Sequence, residues 1–153
     1  MKKLFITALV ALFTISAFSQ TKSEIDLAQA IFGLEKLQMV AAYVNPGEEY
    51  RETFIDLYEE YEEERMELGK VSIGLLEQYA EEWDGMTNEQ ADEWMKKIMN
   101  SRAKREKLIT TYYHKVKKST TPIIATQFYQ IETFILAAVR VSIYEEIPFV
   151  GEK

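Results

Sequence analysis

The sequence predicts an all-α protein, an antiparallel four-helix arrangement built on a long charged helical hairpin. Four segments of the 153-residue chain carry apolar residues at spacings of three and four, the pattern of amphipathic helices. Two neighbouring segments have opposite charge, and the residues Asp-Gly-Met-Thr at 84–87 separate them as a turn. We therefore expect residues 49–119 to form two antiparallel arms on which the rest of the chain packs.

Residues 1–19 have the features of a secretory signal peptide. A basic head at residues 1–3 precedes an apolar run from Leu4 to Phe18, and Ala17-Phe18-Ser19 fits a small-x-small cleavage site. An N-terminal membrane anchor is the alternative, but the run is short for a spanning helix and no basic cluster follows it. We expect cleavage, no stable membrane insertion afterwards, a periplasmic or secreted location, and a single helical domain over residues 20–153.

The composition argues against several classes of site and partner. The chain contains no cysteine, which rules out disulfides, thiolate metal sites, a cysteine nucleophile and attachment as a lipoprotein. Removal of the signal peptide with its two lysines changes the net charge from −7 to −9. This acidic balance argues against nucleic acid as a partner.

The first helix of the mature chain is expected to run from Ser23, a suitable N-cap, to Val44. Asn45-Pro46-Gly47 then ends this helix and forms a turn. Two apolar faces are predicted, with Leu27, Ile31, Leu34, Gln38 and Ala41 on one and Phe32, Met39 and Tyr43 on the other.

The two arms of the hairpin differ in charge. The first arm has apolar residues at helical spacing from Phe54 to Trp83, and residues 48–93 carry 17 acids and three bases. The second arm begins at Thr87, a suitable N-cap, and Gln90 can complete a capping box with it. Residues 96–118 carry nine bases and one acid. The opposite charges are expected to attract along the whole hairpin and to fix its register, although each exposed ion pair contributes only about 0–1 kcal/mol.

A lysine stripe lies on the second arm, roughly opposite its apolar face. The lysine stripe consists of Lys96, Lys97, Lys104, Lys107, Lys115 and Lys118. It is either a binding surface for an acidic partner or for anionic lipid, or a solvated face that the acidic arm neutralises.

The fourth helix is the most apolar segment of the mature chain. Thr121 as N-cap and Pro122 at the first position predict its start, and Pro148 predicts its end soon after Glu146. A helix that is apolar nearly all round is buried on several sides. Its apolar run is interrupted by charged residues, and we expect it to be too short to span a bilayer.

Four charged residues interrupt the apolar faces and predict a polar layer in the core. Arg65 interrupts the first arm, Arg102 and Arg105 interrupt the second, and Glu132 interrupts the fourth helix. Helical phase and register bring them to about one level, so we expect Glu132 to pair with Arg105, Arg65 or both, with Glu64 nearby. Buried charge is costly unless it is paired. A salt bridge that only sets the register is the simpler interpretation of this layer.

No catalytic or cofactor-binding arrangement is evident. A di-iron bundle needs two Glu-x-x-His pairs, whereas the single histidine, His114, lies three residues after Thr111. Met95 and Met99 are one turn apart, which suits core packing better than a soft-metal site. We predict no enzymatic activity, no cofactor and no metal.

Two apolar surfaces exceed what one small bundle needs. They are the first-helix face with Phe32, Met39 and Tyr43, and the wide apolar circumference of the fourth helix. Such surface usually marks self-association or a partner. We expect a homodimer, and the alternative is a client-binding surface that includes this first-helix face and the lysine stripe.

The segment Met86-Thr87-Asn88-Glu89-Gln90 resembles the Leu-Thr-x-x-Gln motif of the Spy and CpxP group of periplasmic helical proteins, with Met in place of Leu. The segments 127–132 and 144–150 are similar to those of a related group of uncharacterised exported proteins, in which Phe-x-Gln-x-Glu precedes a terminal Ile-Pro-aliphatic. The resemblance covers about residues 49–150. It implies an ATP-independent chaperone or an envelope-stress regulator that works as a dimeric helical cradle. The chain departs from the group in two respects: it has one clear copy of the Leu-Thr-x-x-Gln-like motif, and its net charge is negative. The second arm would therefore supply the basic side of the cradle.

Residues and resemblance together predict an exported, non-catalytic binding protein, chaperone-like or related to envelope stress, that acts on proteins. The alternative is a structural or interaction module that binds one specific envelope partner and has no general chaperone activity.

Overall fold

The computed structural model describes residue 33 and residues 35–151, and every regular element within them is helical. The first helix, α1, is described over residues 35–43. Helix α2 spans Gly47–Glu82, α3 spans Asn88–Ser119 and α4 spans Pro122–Glu146. The predicted all-α, antiparallel four-helix arrangement is confirmed. The predicted signal peptide and the predicted helix start at Ser23 lie outside the described residues.

The hairpin of α2 and α3 organises the fold as expected. A short 3₁₀ turn, Trp83–Gly85, joins the two helices, which pack against each other, and α4 packs on α3. Near the turn, Trp94 Nε1 donates to the carbonyl oxygen of Leu75 at 3.0 Å. Near the open end, Lys115 Nζ lies 3.3 Å from Glu60 Oε2. The two contacts show an antiparallel pairing along most of both helices.

The predicted starts of α3 and α4 are confirmed. Thr87 Oγ1 accepts from the backbone N–H of Gln90 at 3.2 Å, and Gln90 Oε1 accepts from the N–H of Thr87 at 2.9 Å. At the start of α4, Thr121 Oγ1 accepts from the N–H of Ile124 at 3.3 Å, and Pro122 is the first helical residue. These side chains satisfy N–H groups that have no partner inside the helix.

The turn between α1 and α2 needs a glycine. Gly47 has a φ of 66°, in the left-handed region that a side chain disfavours. Asn45 Oδ1 accepts from the N–H of Gly47 at 3.3 Å, and the N–H of Asn45 donates to Gln127 Oε1 at 3.3 Å. One of these hydrogen bonds therefore stabilises the turn internally, and the other joins the turn to α4.

All four helices contribute to one core. Tyr61 of α2 is central, because its ring lies 5.4 Å from that of Tyr112 on α3 and 5.2 Å from that of Phe128 on α4, both in edge-on geometry. Val40 of α1 and Val44, which directly follows α1, are buried in the same cluster.

The predicted face of α1 that holds Gln38 and Ala41 is wrong in the described part of this helix. The buried side chains are those of Lys36, Val40 and Val44, at spacings of four, whereas Gln38 and Ala41 are exposed. The prediction placed only uncharged residues on the core faces. A lysine occupies the core face here because acidic side chains of other helices bind its ammonium group.

Direct charge pairing between the arms is sparse. The Lys115–Glu60 contact is the one ion pair that joins α2 to α3 among the residues that the structure describes. The hydroxyl of Tyr112 also donates across the hairpin, to Glu64 at 2.7 Å. Two lysines of the stripe pair within α3 instead, Lys96 with Asp92 at 2.5 Å and Lys97 with Glu93 at 3.0 Å. The expected ion pairing along the whole hairpin is thus limited to one contact. The packing of buried side chains contributes more to holding the two arms together.

Helix α4 separates an inner from an outer side. Phe128, Ile131 and Ile135 are buried on the inner side, whereas Phe134 and Val141 are more than half exposed on the outer side. By length and composition alone, α4 is long and apolar enough to cross a membrane, a test that core helices of soluble proteins also pass. The expectation that α4 is too short to span a bilayer is therefore wrong by this criterion.

Candidate functional site

A buried charge cluster lies where α1, α2 and α4 meet. Glu132 of α4 is fully buried, and its Oε2 lies 2.7 Å from the ammonium nitrogen of Lys36 on α1. The hydroxyl groups of Tyr61 and Tyr58 donate to the same carboxylate at 2.6 and 3.4 Å. The ammonium group of Lys36 also bonds to Glu62 on α2. The buried carboxylate therefore has a cation and two hydroxyl donors, which is what burial of a charge requires.

Lys36 is enclosed by aromatic rings as well as by acids. Its side chain is 2% exposed, and its ammonium nitrogen lies 4.8 Å from the ring centre of Tyr61 and 5.4 Å from that of Tyr58. The cation thus gains cation–π attraction in addition to two carboxylate contacts. One lysine links α1 to both α2 and α4.

The environment of the cluster keeps its tyrosines protonated. Burial, and then the negative charge of Glu132, raise the pKa of Tyr58 and of Tyr61 well above the usual value of 10.0. Burial and the hydrogen bond to Glu64 raise the pKa of Tyr112 as well. The three hydroxyl groups therefore act as hydrogen-bond donors at neutral pH.

The predicted pairing of Glu132 with Arg65 or Arg105 is wrong. Within residues 33 and 35–151 the ion-pair partner of Glu132 is Lys36. Arg65 is buried as predicted, but its Nε lies 2.9 Å from each carboxylate oxygen of Glu62, one turn away on its own helix. The prediction considered only the hairpin and α4, so it omitted the cation that α1 supplies.

Arg105 lies nearer the turn of the hairpin than the buried charge cluster. Its guanidinium group donates to the hydroxyl of Ser72, and that hydroxyl lies 3.1 Å from the hydroxyl of Ser101. Burial, and then the positive charge of Arg140, lower the pKa of Arg105. Arg105 is therefore half-buried beside two hydroxyl groups and near other cations, and it has no acidic partner among the described residues.

Arg102 is exposed and lies at the surface between α3 and α4. It donates to the hydroxyl of Tyr144, and its guanidinium carbon lies 5.9 Å from the centre of that ring. Of the four residues predicted to form one polar layer, only Arg65 and Glu132 belong to the buried charge cluster. Arg102 and Arg105 occupy other positions.

The sequence contained a signal for Lys36. Lys36, Val40 and Val44 follow one another at spacings of four, which places the lysine in line with two apolar residues. A lysine in that position requires acidic partners on the facing helices, and Glu62 and Glu132 supply them.

The lysine stripe is exposed along the whole of α3. All six lysines are at the surface, but only three of them form ion pairs with residues that the structure describes. Lys104, Lys107 and Lys118 form none within residues 33 and 35–151. Among the described residues, the acidic arm therefore supplies a direct counter-charge to Lys115 alone, and half of the stripe has no ion pair at all.

The residues of the second predicted face of α1, Phe32, Met39 and Tyr43, have different environments. Phe32 lies outside the described residues, and Met39 packs against the core. Tyr43 is 53% exposed and borders a groove of about 370 Å³ between α1 and α4, beside Phe134 and Gln130. Of the three residues, Tyr43 is the one that the structure shows at the surface.

A second groove, which we call the basic cleft, lies between α2 and α3 and has a volume of about 190 Å³. It is lined by Leu68, Val71, Leu75, Lys97, Asn100, Ser101 and Lys104. Val71 is 55% exposed, and both lysines are exposed. By helical phase the cleft residues of α3 point away from Arg102 and Glu106, which contact α4. The basic cleft and α4 therefore lie on opposite sides of α3.

The two arrangements differ in what they can do. The buried charge cluster is largely shielded from solvent, and its charged groups contact one another, so it serves to join helices. The basic cleft is open and combines apolar side chains with cations. In the described part of the chain, no group of three or more His, Cys, Asp or Glu side chains is placed to hold a metal ion.

Comparison of the chain with protein-family models, with curated proteins and with solved structures finds no match.

Proposed function

We propose that the chain is an exported, non-catalytic binding protein with chaperone-like activity, and that the basic cleft is its client-binding surface. The observation that supports this proposal is the position of Lys104, which has no ion pair among the described residues and borders the apolar Leu68 and Val71. An unfolded acidic polypeptide presents apolar and negative side chains close together. The basic cleft offers a complementary contact for each kind of side chain.

The size of the cleft favours weak and general binding. A groove of about 190 Å³ is smaller than the pockets of about 300–1,000 Å³ that enclose a small ligand. It has room for one or two side chains of a longer polypeptide. Exposed ion pairs contribute about 0.2–1 kcal/mol each, so such binding is reversible and decreases with salt.

The alternative function is a specific interaction module that uses the same surface. One envelope partner with a matching acidic and apolar segment would bind the cleft, and unrelated unfolded proteins would not. The number of unrelated unfolded proteins that the chain binds distinguishes the two functions.

Light scattering tests the proposal. Purified protein is added to several unrelated proteins during their aggregation, at low salt and at high salt. We expect suppression for acidic clients at low salt and weaker suppression at high salt. Reversal of both cleft charges, Lys97→Glu with Lys104→Glu, removes about 1–2 kcal/mol of binding free energy and should weaken suppression about 5–30-fold.

A matched control carries the same change of charge outside the cleft, Arg51→Glu with Lys117→Glu, two exposed positions. This control should suppress aggregation as well as the unmodified protein does. Absence of suppression for every client would exclude the chaperone-like function, and equal losses in the two double variants would exclude the cleft as its surface.

A further inference from the structure

A continuous uncharged stripe runs along the outer side of α4. Its residues, Ile123, Gln127, Gln130, Phe134, Ala137, Val141 and Tyr144, follow one another at alternating spacings of four and three. Six of the seven are exposed, including Ile123 at 72%, Val141 at 56% and Phe134 at 52%. We call this surface the outer stripe.

The spacing of the outer stripe fits another helix. Residues at alternating spacings of four and three form the seam along which two helices pack with interdigitating side chains. The stripe extends over most of α4, which at 25 residues is about 37 Å long. A single small ligand would not require so long and regular a surface.

The geometry points to a second copy of this chain as the occupant: we propose that two α4 helices pair along their outer stripes, antiparallel, about a two-fold axis between residues 135 and 136. Under this symmetry residue i faces residue 271 − i of the second copy. Phe134 then faces Ala137 of the second copy, and Gln130 faces Val141. A large side chain meets a small one at the centre of the interface, as close packing requires, and the symmetry forms each pairing twice.

The distribution of charge also favours a second copy. The stripe itself contains no acid or base, and Arg102, which contacts Tyr144, lies at one end of it, so the centre of the interface does not bury a charge. The acidic surface of α2 includes Glu59 and Glu63, both exposed, whereas Tyr58, on a different face of α2, packs on Phe128 of α4. The outer stripe lies on the far side of α4 from that contact. Pairing through the stripe therefore keeps the acidic surfaces of two net-negative chains apart.

Sedimentation velocity tests the interface. At tens of micromolar we expect twice the mass of one chain for the unmodified protein. Phe134→Glu places a charge opposite Ala137 and should halve the mass. Met99→Glu on α3, at a site of similar exposure outside the stripe, should leave the mass doubled. Circular dichroism verifies that both variants keep their helical content and melting temperature, because both sites are at the surface.

Single cysteines test the direction of pairing, since the chain has none of its own. In the antiparallel arrangement two copies of residue 137 lie about one helical turn apart along the axis, whereas two copies of residue 123 lie about 37 Å apart. Ala137→Cys should therefore form a disulfide-linked dimer on oxidation, and Ile123→Cys should not.

Other outcomes would overturn the proposal. Cross-linking through Ile123→Cys would indicate a parallel pairing, and a dimer that persists with Phe134→Glu would place the interface elsewhere. A monomer that floats with phosphatidylcholine vesicles would make lipid the occupant of the stripe. A monomer in which a cysteine at residue 137 resists a maleimide would show that a segment of the same chain covers it.

Discussion

Lys36 contacts carboxylates on two different helices, Glu62 on α2 and Glu132 on α4. Removing its charge leaves the fully buried Glu132 without a cation, and an unpaired buried charge costs several kcal/mol. The two tyrosine hydroxyl groups on Glu132 cannot replace the cation, because they donate hydrogen bonds but carry no charge. The stability of the bundle should therefore depend on this lysine far more than on any lysine at the surface.

A double-mutant cycle measures this dependence. We expect Lys36→Met to lower the free energy of unfolding by about 3–5 kcal/mol, because it leaves a buried carboxylate unpaired. Glu132→Gln should also destabilise the protein, and the double variant should lose at least about 1 kcal/mol less than the sum of the two. Denaturant unfolding gives the four free energies.

The matched control is the same cycle with Arg105→Met in place of Lys36→Met. Arg105 bonds to Ser72 rather than to Glu132, so the coupling should stay within about 0.5 kcal/mol. A strong coupling to Arg105 together with a weak coupling to Lys36 would contradict the ion pair described here.

The buried tyrosines predict a loss of stability in alkaline solution. Their pKa is raised in the folded state, so above pH 10.0 the unfolded chain releases the Tyr58 and Tyr61 protons while the folded chain retains them. The native state then binds more protons, and the free energy of unfolding falls by up to about 1.4 kcal/mol per pH unit for each tyrosine. Denaturant unfolding at pH 9 and pH 11 should show a smaller fall in the Tyr58→Phe/Tyr61→Phe double variant. An equal fall in both proteins would contradict the burial of the two hydroxyl groups.

At the scale of helices, the α2–α3 hairpin depends on packing and on its ends more than on opposite charge. One ion pair joins the arms among the residues described, whereas Tyr61, Tyr112 and Leu108 are buried between them. The capping box at the turn fixes where α3 begins. Exposed lysines and glutamates keep solvent contact and contribute little to the pairing.

The contribution of the cap is measurable. Thr87→Ala removes the oxygen that accepts from the N–H of Gln90 and should lower the free energy of unfolding by about 1 kcal/mol. Thr110→Ala, at an exposed position inside α3, should leave stability unchanged or raise it by a few tenths of a kcal/mol, because Ala favours helix. Similar losses in the two variants would show that Thr87 acts only through helix propensity.

Short sequence patterns predicted where the helices begin, but they predicted only part of the buried charge cluster. Thr87 with Gln90, and Thr121 with Pro122, mark helix starts within four residues of sequence, and the structure forms both caps. The burial of Arg65 and Glu132 followed from their place on apolar faces. Their partners did not follow, because these depend on how α1 docks on α2 and α4. That docking is a tertiary arrangement, and no spacing within one helix determines it.

At the scale of the whole molecule, the basic cleft and the outer stripe lie on different helix faces. The cleft lies between α2 and α3, and the stripe lies on the outer side of α4. A dimer formed through the stripe would leave both clefts open. Client binding and pairing of chains are therefore expected to be separable, and Phe134→Glu should give a monomer that still suppresses aggregation.

Thiol protection at the basic cleft is the most direct test of client binding. Val71→Cys places a single thiol in the cleft, and Met99→Cys places one at similar exposure elsewhere on the hairpin. Saturation with an unfolded acidic client should slow maleimide modification of the first thiol at least about tenfold and leave the second unchanged. Modification of the Val71→Cys thiol at the same rate with and without bound client would contradict the account.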